Sequence, residues 1–91
     1  MIRIVKMTFQ PGTEAQFLSI FESRRERIAG FPGCTGVKLL RSGSVFFTYS
    51  HWQGEADLAR YRASELFQET WALVKPLFAQ KAEAWSVEEV E

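Results

Sequence analysis

Residues 45–52, Val-Phe-Phe-Thr-Tyr-Ser-His-Trp, restrict the fold more than any other segment of this chain. Their aromatic and β-branched side chains read as a strand. Successive side chains of a strand point to opposite faces. Val45, Phe47 and Tyr49 therefore share one face, and Phe46 and Trp52 share the other. Residues 2–9, IRIVKMTF, repeat the pattern, with Ile2 and Ile4 on one side and Val5, Met7 and Phe9 on the other. A sheet built from such strands needs cover on both faces. The plainer alternative leaves the bulky residues scattered on an open face, and large exposed apolar patches are uncommon on monomers.

The other segments supply one layer of cover. Gln10-Pro11-Gly12 is a turn signal. Thr13 then opens a helix, and Thr-Glu-Ala-Gln fits a capping box with Gln16 at the third helical position. Phe17, Phe21 and Ile28 fall on one stripe of that helix, and Glu22 and Glu26 lie opposite. Gly30 and the Phe31-Pro32-Gly33 break end it. Residues 34–42 read as a second strand, and Ser42-Gly43-Ser44 as a hairpin turn into 45–52. A helical region begins after Gly54. Ser64 divides it by capping a second helix, whose apolar face carries Leu66, Thr70, Leu73, Val74 and Leu77, widened by Phe67, Trp71 and Phe78. Pro76 ends or kinks that helix, having no N–H to donate. Residues 82–90 read as a fourth strand. The order β-α-β-β-α-β is the ferredoxin-like α+β arrangement, one antiparallel four-stranded sheet with helices on one face. Its second face then calls for another layer, and a second copy of the sheet is the simplest supply.

With 91 residues the chain has room for one domain, 1–91. A hydrophobic content of 46%, with 8 Phe, 3 Trp and 2 Tyr, is a heavy apolar load for that length and again favours burial against a partner. Charges balance at 11 Lys+Arg against 11 Asp+Glu, so no basic excess points to nucleic acid. The single Cys34 excludes an internal disulfide and offers no metal cluster. The amino-terminal residues carry no long apolar stretch of the signal-peptide kind, and no segment approaches a membrane span. The expectation is a soluble cytoplasmic protein with no nucleic-acid or membrane partner.

Several segments resemble the antibiotic biosynthesis monooxygenase (ABM) domain family. They are Gln10-Pro11-Gly12, Phe31-Pro32-Gly33-Cys34, Tyr49-Ser50-His51-Trp52, and Tyr61-Arg62-Ala63-Ser64-Glu65-Leu66-Phe67. The resemblance covers nearly the whole chain. It implies the dimeric α+β barrel, in which two ferredoxin-like sheets pack face to face as a homodimer. It also implies one of several activities: cofactor-independent oxidation of polycyclic phenols to quinones with O₂, haem degradation, processing of small signal molecules, or none. The haem-degrading branch uses an Asn, a Trp and a His where this chain has Val5, Tyr61 and Trp71, so the resemblance does not extend to it.

A cofactor-free oxygenase of phenols needs a base near the substrate and a largely apolar pocket. His51 is the only histidine and the one side chain that ordinarily titrates near neutrality. With Tyr49 it forms the candidate catalytic pair; its plain role is a surface or interface hydrogen bond. Arg24 falls inside the stripe of Phe17, Phe21 and Ile28. There it either snorkels or pairs at the rim, or faces a polar cavity as a ligand anchor. Trp52, Tyr61 and Trp71 are candidates to line a flat aromatic pocket, and each is also an ordinary core residue. Nothing resembles a phosphate loop, a zinc site or a nucleotide fingerprint, so no cofactor is expected. Two functions follow: a small cofactor-independent monooxygenase acting on a phenol- or hydroquinone-like aromatic, or a non-catalytic dimeric module that binds a small apolar ligand.

Overall fold

Alternation along the strands decides the architecture. The computed structural model describes residues 1–91. Its strands are β1 (Ile2–Thr8), β2 (Cys34–Ser42), β3 (Val45–Trp52) and β4 (Glu83–Val87). Its helices are α1 (Glu14–Ala29), α2 (Glu55–Arg62) and α3 (Glu65–Val74), and a single 3-10 turn at Lys75–Leu77 follows α3. All strand pairs are antiparallel, in the order β2-β3-β1-β4. This is the expected ferredoxin-like sheet, with the second helix in two pieces.

Met7 of β1 pairs with Phe46 of β3, and both enter a core with Phe9, Phe17, Phe21, Val74 and Leu77. This is the face under the helices. Phe9 and Phe46 are each only 1% exposed, and their rings meet edge to face at 5.5 Å. Neighbouring residues on each strand point the other way. One cross-strand row there is Leu40–Phe47–Lys6–Glu83, and the next is Lys38–Tyr49–Ile4–Trp85. No element of the chain covers this second face, and Leu40 and Trp85 remain 50% and 45% exposed.

The joints explain the element boundaries. Ser64 caps α3 as expected, its Oγ accepting from the Phe67 N–H at 3.2 Å. α3 gives way to the 3-10 turn just before Pro76. The capping box at Thr13 does not form. Thr13 has a near-helical backbone, and its hydroxyl turns back to donate to the Gln10 carbonyl at 2.7 Å. Glu14 serves that end of α1 instead, accepting from the Gly12 N–H at 2.9 Å and the Ser44 hydroxyl at 2.6 Å. β4 is shorter than the expected 82–90, because its last partner is Ile2 opposite Val87. Beyond that pair the Met1 ammonium is engaged with the Trp52 carbonyl at 3.0 Å. Leu73, expected on the apolar face of α3, is 47% exposed; the inward stripe is Phe67, Trp71 and Val74. No helix is long and apolar enough to cross a membrane.

Candidate functional site

A cavity of about 330 Å³ lies between the helices and the sheet. Its floor comes from alternate residues of β1 and β3, its walls from α1, α2 and α3. The volume is near the lower end of the ~300–1,000 Å³ usual for small-molecule sites, which suits a compact ligand. Of its 18 lining residues 14 are hydrophobic, and the other four are Arg3, Thr48, Ser50 and Arg62. No carboxylate or imidazole lines it.

One wall is a continuous run of aromatic rings. Trp52 lies 5.0 Å from Tyr61, Tyr61 meets Phe67 edge-on at 5.3 Å, and Phe67 stacks on Trp71 at 5.7 Å. The sequence produces this wall through three separate elements. Trp52 ends β3 on its helix-facing side, Tyr61 sits in the last turn of α2, and the Ser64 cap turns the chain so that Phe67 and Trp71 follow on α3. Ser50 fixes the first ring: the Trp52 indole N–H donates to its Oγ at 2.9 Å. Ser50 is the one buried polar residue of the protein, and that bond accounts for it.

Tyr61 is the most perturbed phenol. Burial pushes its pKa up to about 12, and the neighbouring Cys34 adds to the shift. It therefore stays protonated at all ordinary pH values and presents an O–H rather than a phenolate. Arg3 is half-buried, and its Nη1 donates to the Ser86 hydroxyl at 3.0 Å. Its pKa is lowered from the ordinary value, first by burial and then by the positive charge of Arg62.

Three expected site residues, Trp52, Tyr61 and Trp71, come together on this cavity. The other three do not. Tyr49 and His51 have the opposite parity on β3 and stand on the uncovered face of the sheet, their rings edge to face at 5.2 Å. Arg24 is not part of the lining. Its guanidinium bends back along α1, with Nη1 donating to the Ser23 hydroxyl at 2.8 Å and approaching the Ile20 carbonyl at 3.4 Å. Its Nε is buried without a partner. A helical wheel locates the Cβ of an arginine, and the long side chain then travels elsewhere. The four polar lining residues were not singled out from the sequence. Arg3 carried a readable signal, since it extends the alternation of Val5, Met7 and Phe9 and places a charge on an apolar face. Ser50 and Thr48 share the parity of Trp52.

A family model described as "Antibiotic biosynthesis monooxygenase" matches residues 1–73. No curated protein matches the chain. Among solved structures, a proposed antibiotic biosynthesis monooxygenase from Bordetella bronchiseptica is 28% identical, with a TM-score of 0.89 over 99% of this chain and 96% of that one. One from Nitrosomonas europaea is 15% identical, with a TM-score of 0.91 over 99% and 98%. Rv0793 from Mycobacterium tuberculosis is also 15% identical, with a TM-score of 0.86 over 99% and 97%. At 15% identity the last two bear on the fold alone.

Proposed function

The chain belongs to the antibiotic biosynthesis monooxygenase family, and from that premise we propose that it oxidises a small phenol- or hydroquinone-like aromatic with O₂ in the cavity beneath its helices. Family membership supports a monooxygenase-type function. The aromatic substrate is our extension, and the observation that carries it is the wall of Trp52, Tyr61, Phe67 and Trp71 around an otherwise apolar cavity. A planar ring stacks on such a wall, and burial of both surfaces favours the complex.

In this reading no bound cofactor is needed, because the substrate supplies the electrons. A phenol with a reactive ring C–H, or a hydroxyanthrone with its CH₂, takes up one O₂. One oxygen atom becomes the new quinone C=O, and the other leaves as water with the two hydrogens of the substrate. The phenolate is the form that reduces O₂. The protein binds and orients the ring and keeps water away from it. Tyr61 donates its O–H to a ligand oxygen, and Trp52 and Trp71 hold the ring. The lining has no carboxylate or imidazole, so the proton leaves to solvent. The rate should therefore rise with pH toward the pKa of the substrate's own phenol, with no step near the ~6.5 of an imidazole. His51→Ala should leave that profile unchanged.

The same lack of a base favours a second reading, ligand binding without turnover. Oxygen uptake with 1-naphthol and with a hydroxyanthrone, without added flavin or metal, separates the two. The monooxygenase reading expects quinone carrying one atom from ¹⁸O₂, with loss of activity in Trp71→Ala. Binding of both compounds with no product above the protein-free rate would leave only the binding module.

We also propose that the uncovered sheet face, with Leu40, Phe47, Tyr49, Trp85 and Val87, packs against a second copy to make a homodimer. Tyr49 and His51 then belong to the contact between subunits rather than to the chemistry.

A further inference from the structure

The polar groups of the cavity are unevenly placed. Thr48 and Ser50 lie on the β3 floor. Arg3 and Arg62 line both the cavity and a shallower groove beside it that also contains Glu55, Ala59 and Ser86. The two arginines, with Leu58 common to both spaces, therefore mark the mouth where the apolar chamber meets the groove. Neither belongs to an ion pair, since the salt bridges of the protein are Lys6–Glu83, Arg25–Glu22 and Arg60–Asp57. Arg3 is held by the Ser86 hydroxyl. The Arg62 guanidinium makes no hydrogen bond, and the Arg62 carbonyl accepts from the Gln68 side chain at 2.9 Å. Glu55 shares the groove but makes no ion pair with either.

Two guanidinium groups at the edge of an apolar chamber repel each other, and the half-buried Arg3 also loses hydration there. Arg24, Arg27 and Arg41 also lack a carboxylate partner; what sets the mouth apart is that two unpaired arginines line one opening. A counter-ion that arrives with the ligand would relieve the repulsion.

We propose that the cavity takes an aromatic acid, its ring in the chamber against Trp52 and Trp71 and its carboxylate at the mouth between Arg3 and Arg62. The proposal rests on the reading of this cavity as the ligand site and narrows the class of ligand. The guanidinium fork matches a carboxylate in two parallel hydrogen bonds, which would fix the direction in which the ring enters. Ser86 orients Arg3 from β4, and Arg62 is exposed in the last turn of α2, free to close on the ligand.

The test is a titration at low ionic strength, followed by tryptophan fluorescence, with 2-naphthoate and 2-naphthamide. These probes share a shape and differ in charge. The wild-type protein should bind naphthoate at least about tenfold more tightly than the amide, the range expected of charge-assisted hydrogen bonds. Arg62→Gln, a change at an exposed position, should bring the ratio close to one without weakening amide binding, and Arg3→Gln should do the same. Equal affinity of the two probes in the wild type overturns the acid assignment and leaves the aromatic cavity standing. So does a preference that survives the double substitution. If neither probe binds, the acid assignment and the cavity reading fall together.

Discussion

At the scale of single residues, chemistry here depends on which way a side chain points. The sequence shows the aromatic candidates Trp52, Tyr61 and Trp71, and all three reach the cavity. It shows Tyr49 and His51 equally well, yet strand parity sends them to the other face. That parity was already present in the alternation of β3. What the sequence lacked was the location of the cavity, which needs the helices in place. Arg24 lies outside the cavity lining for a different reason, because helical periodicity does not determine where a guanidinium ends. Tyr61 gives the sharpest test at this scale. Its pKa is raised to about 12 by burial, against about 10 in an unfolded chain. Between those values the unfolded chain has lost a proton that the folded one keeps, so stability falls as pH rises. The contribution is intact below about pH 10 and is lost through about pH 12. Alkaline titration of phenolate absorbance, compared with Tyr61→Phe, should place this ionisation near 12, and the wild type should lose stability above pH 10 faster than the variant. Ionisation at the ordinary value would show an exposed phenol.

At the scale of elements, strands and helices were readable because their periods are regular, while the joints were not. Thr13 illustrates the limit. Its spacing to Gln16 satisfies a capping pattern, but the adjacent Pro11-Gly12 turn draws its hydroxyl to Gln10. β4 ends where its partner strand ends, a fact about β1 and not about residues 88–90. Gly33 is the joint that matters most to the site. It has a positive φ of 89°, and a Cβ there would overlap the Asp57 side chain in the first turn of α2. Its carbonyl accepts from the Gln53 N–H at 2.8 Å, which ties the start of β2 to the end of β3. Gly33→Ala should cost about 2–4 kcal/mol from backbone strain and overlap together, read by chemical denaturation. It should also weaken aromatic binding by shifting α2, which carries Tyr61 and Arg62. A change within ~0.5 kcal/mol would mean that α2 moves aside freely.

At the scale of the whole molecule, the four-stranded sheet was legible from the order of elements, and the two-sided strands signalled a demand for cover on both of its faces. The uncovered face of that sheet, with Leu40 and Trp85 about half exposed, is the remaining demand. A face-to-face pair should bury the ~1,000 Å² or more that stable association requires. Light scattering at micromolar concentration should give about twice the 10.5 kDa chain mass, and Trp85→Asp should shift it toward the monomer. A wild-type monomer at that concentration would remove the barrel. On the proposals made above, the two faces divide the work: association on one, ligand on the other. The three tryptophans report on this division separately, since Trp52 and Trp71 line the cavity and Trp85 lies on the opposite face beside Ile4. The most direct measurement follows the three indole N–H resonances of ¹⁵N-labelled protein during titration with 1-naphthol. The account predicts that the Trp52 and Trp71 signals shift in a saturable way while Trp85 stays fixed. A shift at Trp85 with the other two unmoved would place the ligand on the open sheet face and contradict it.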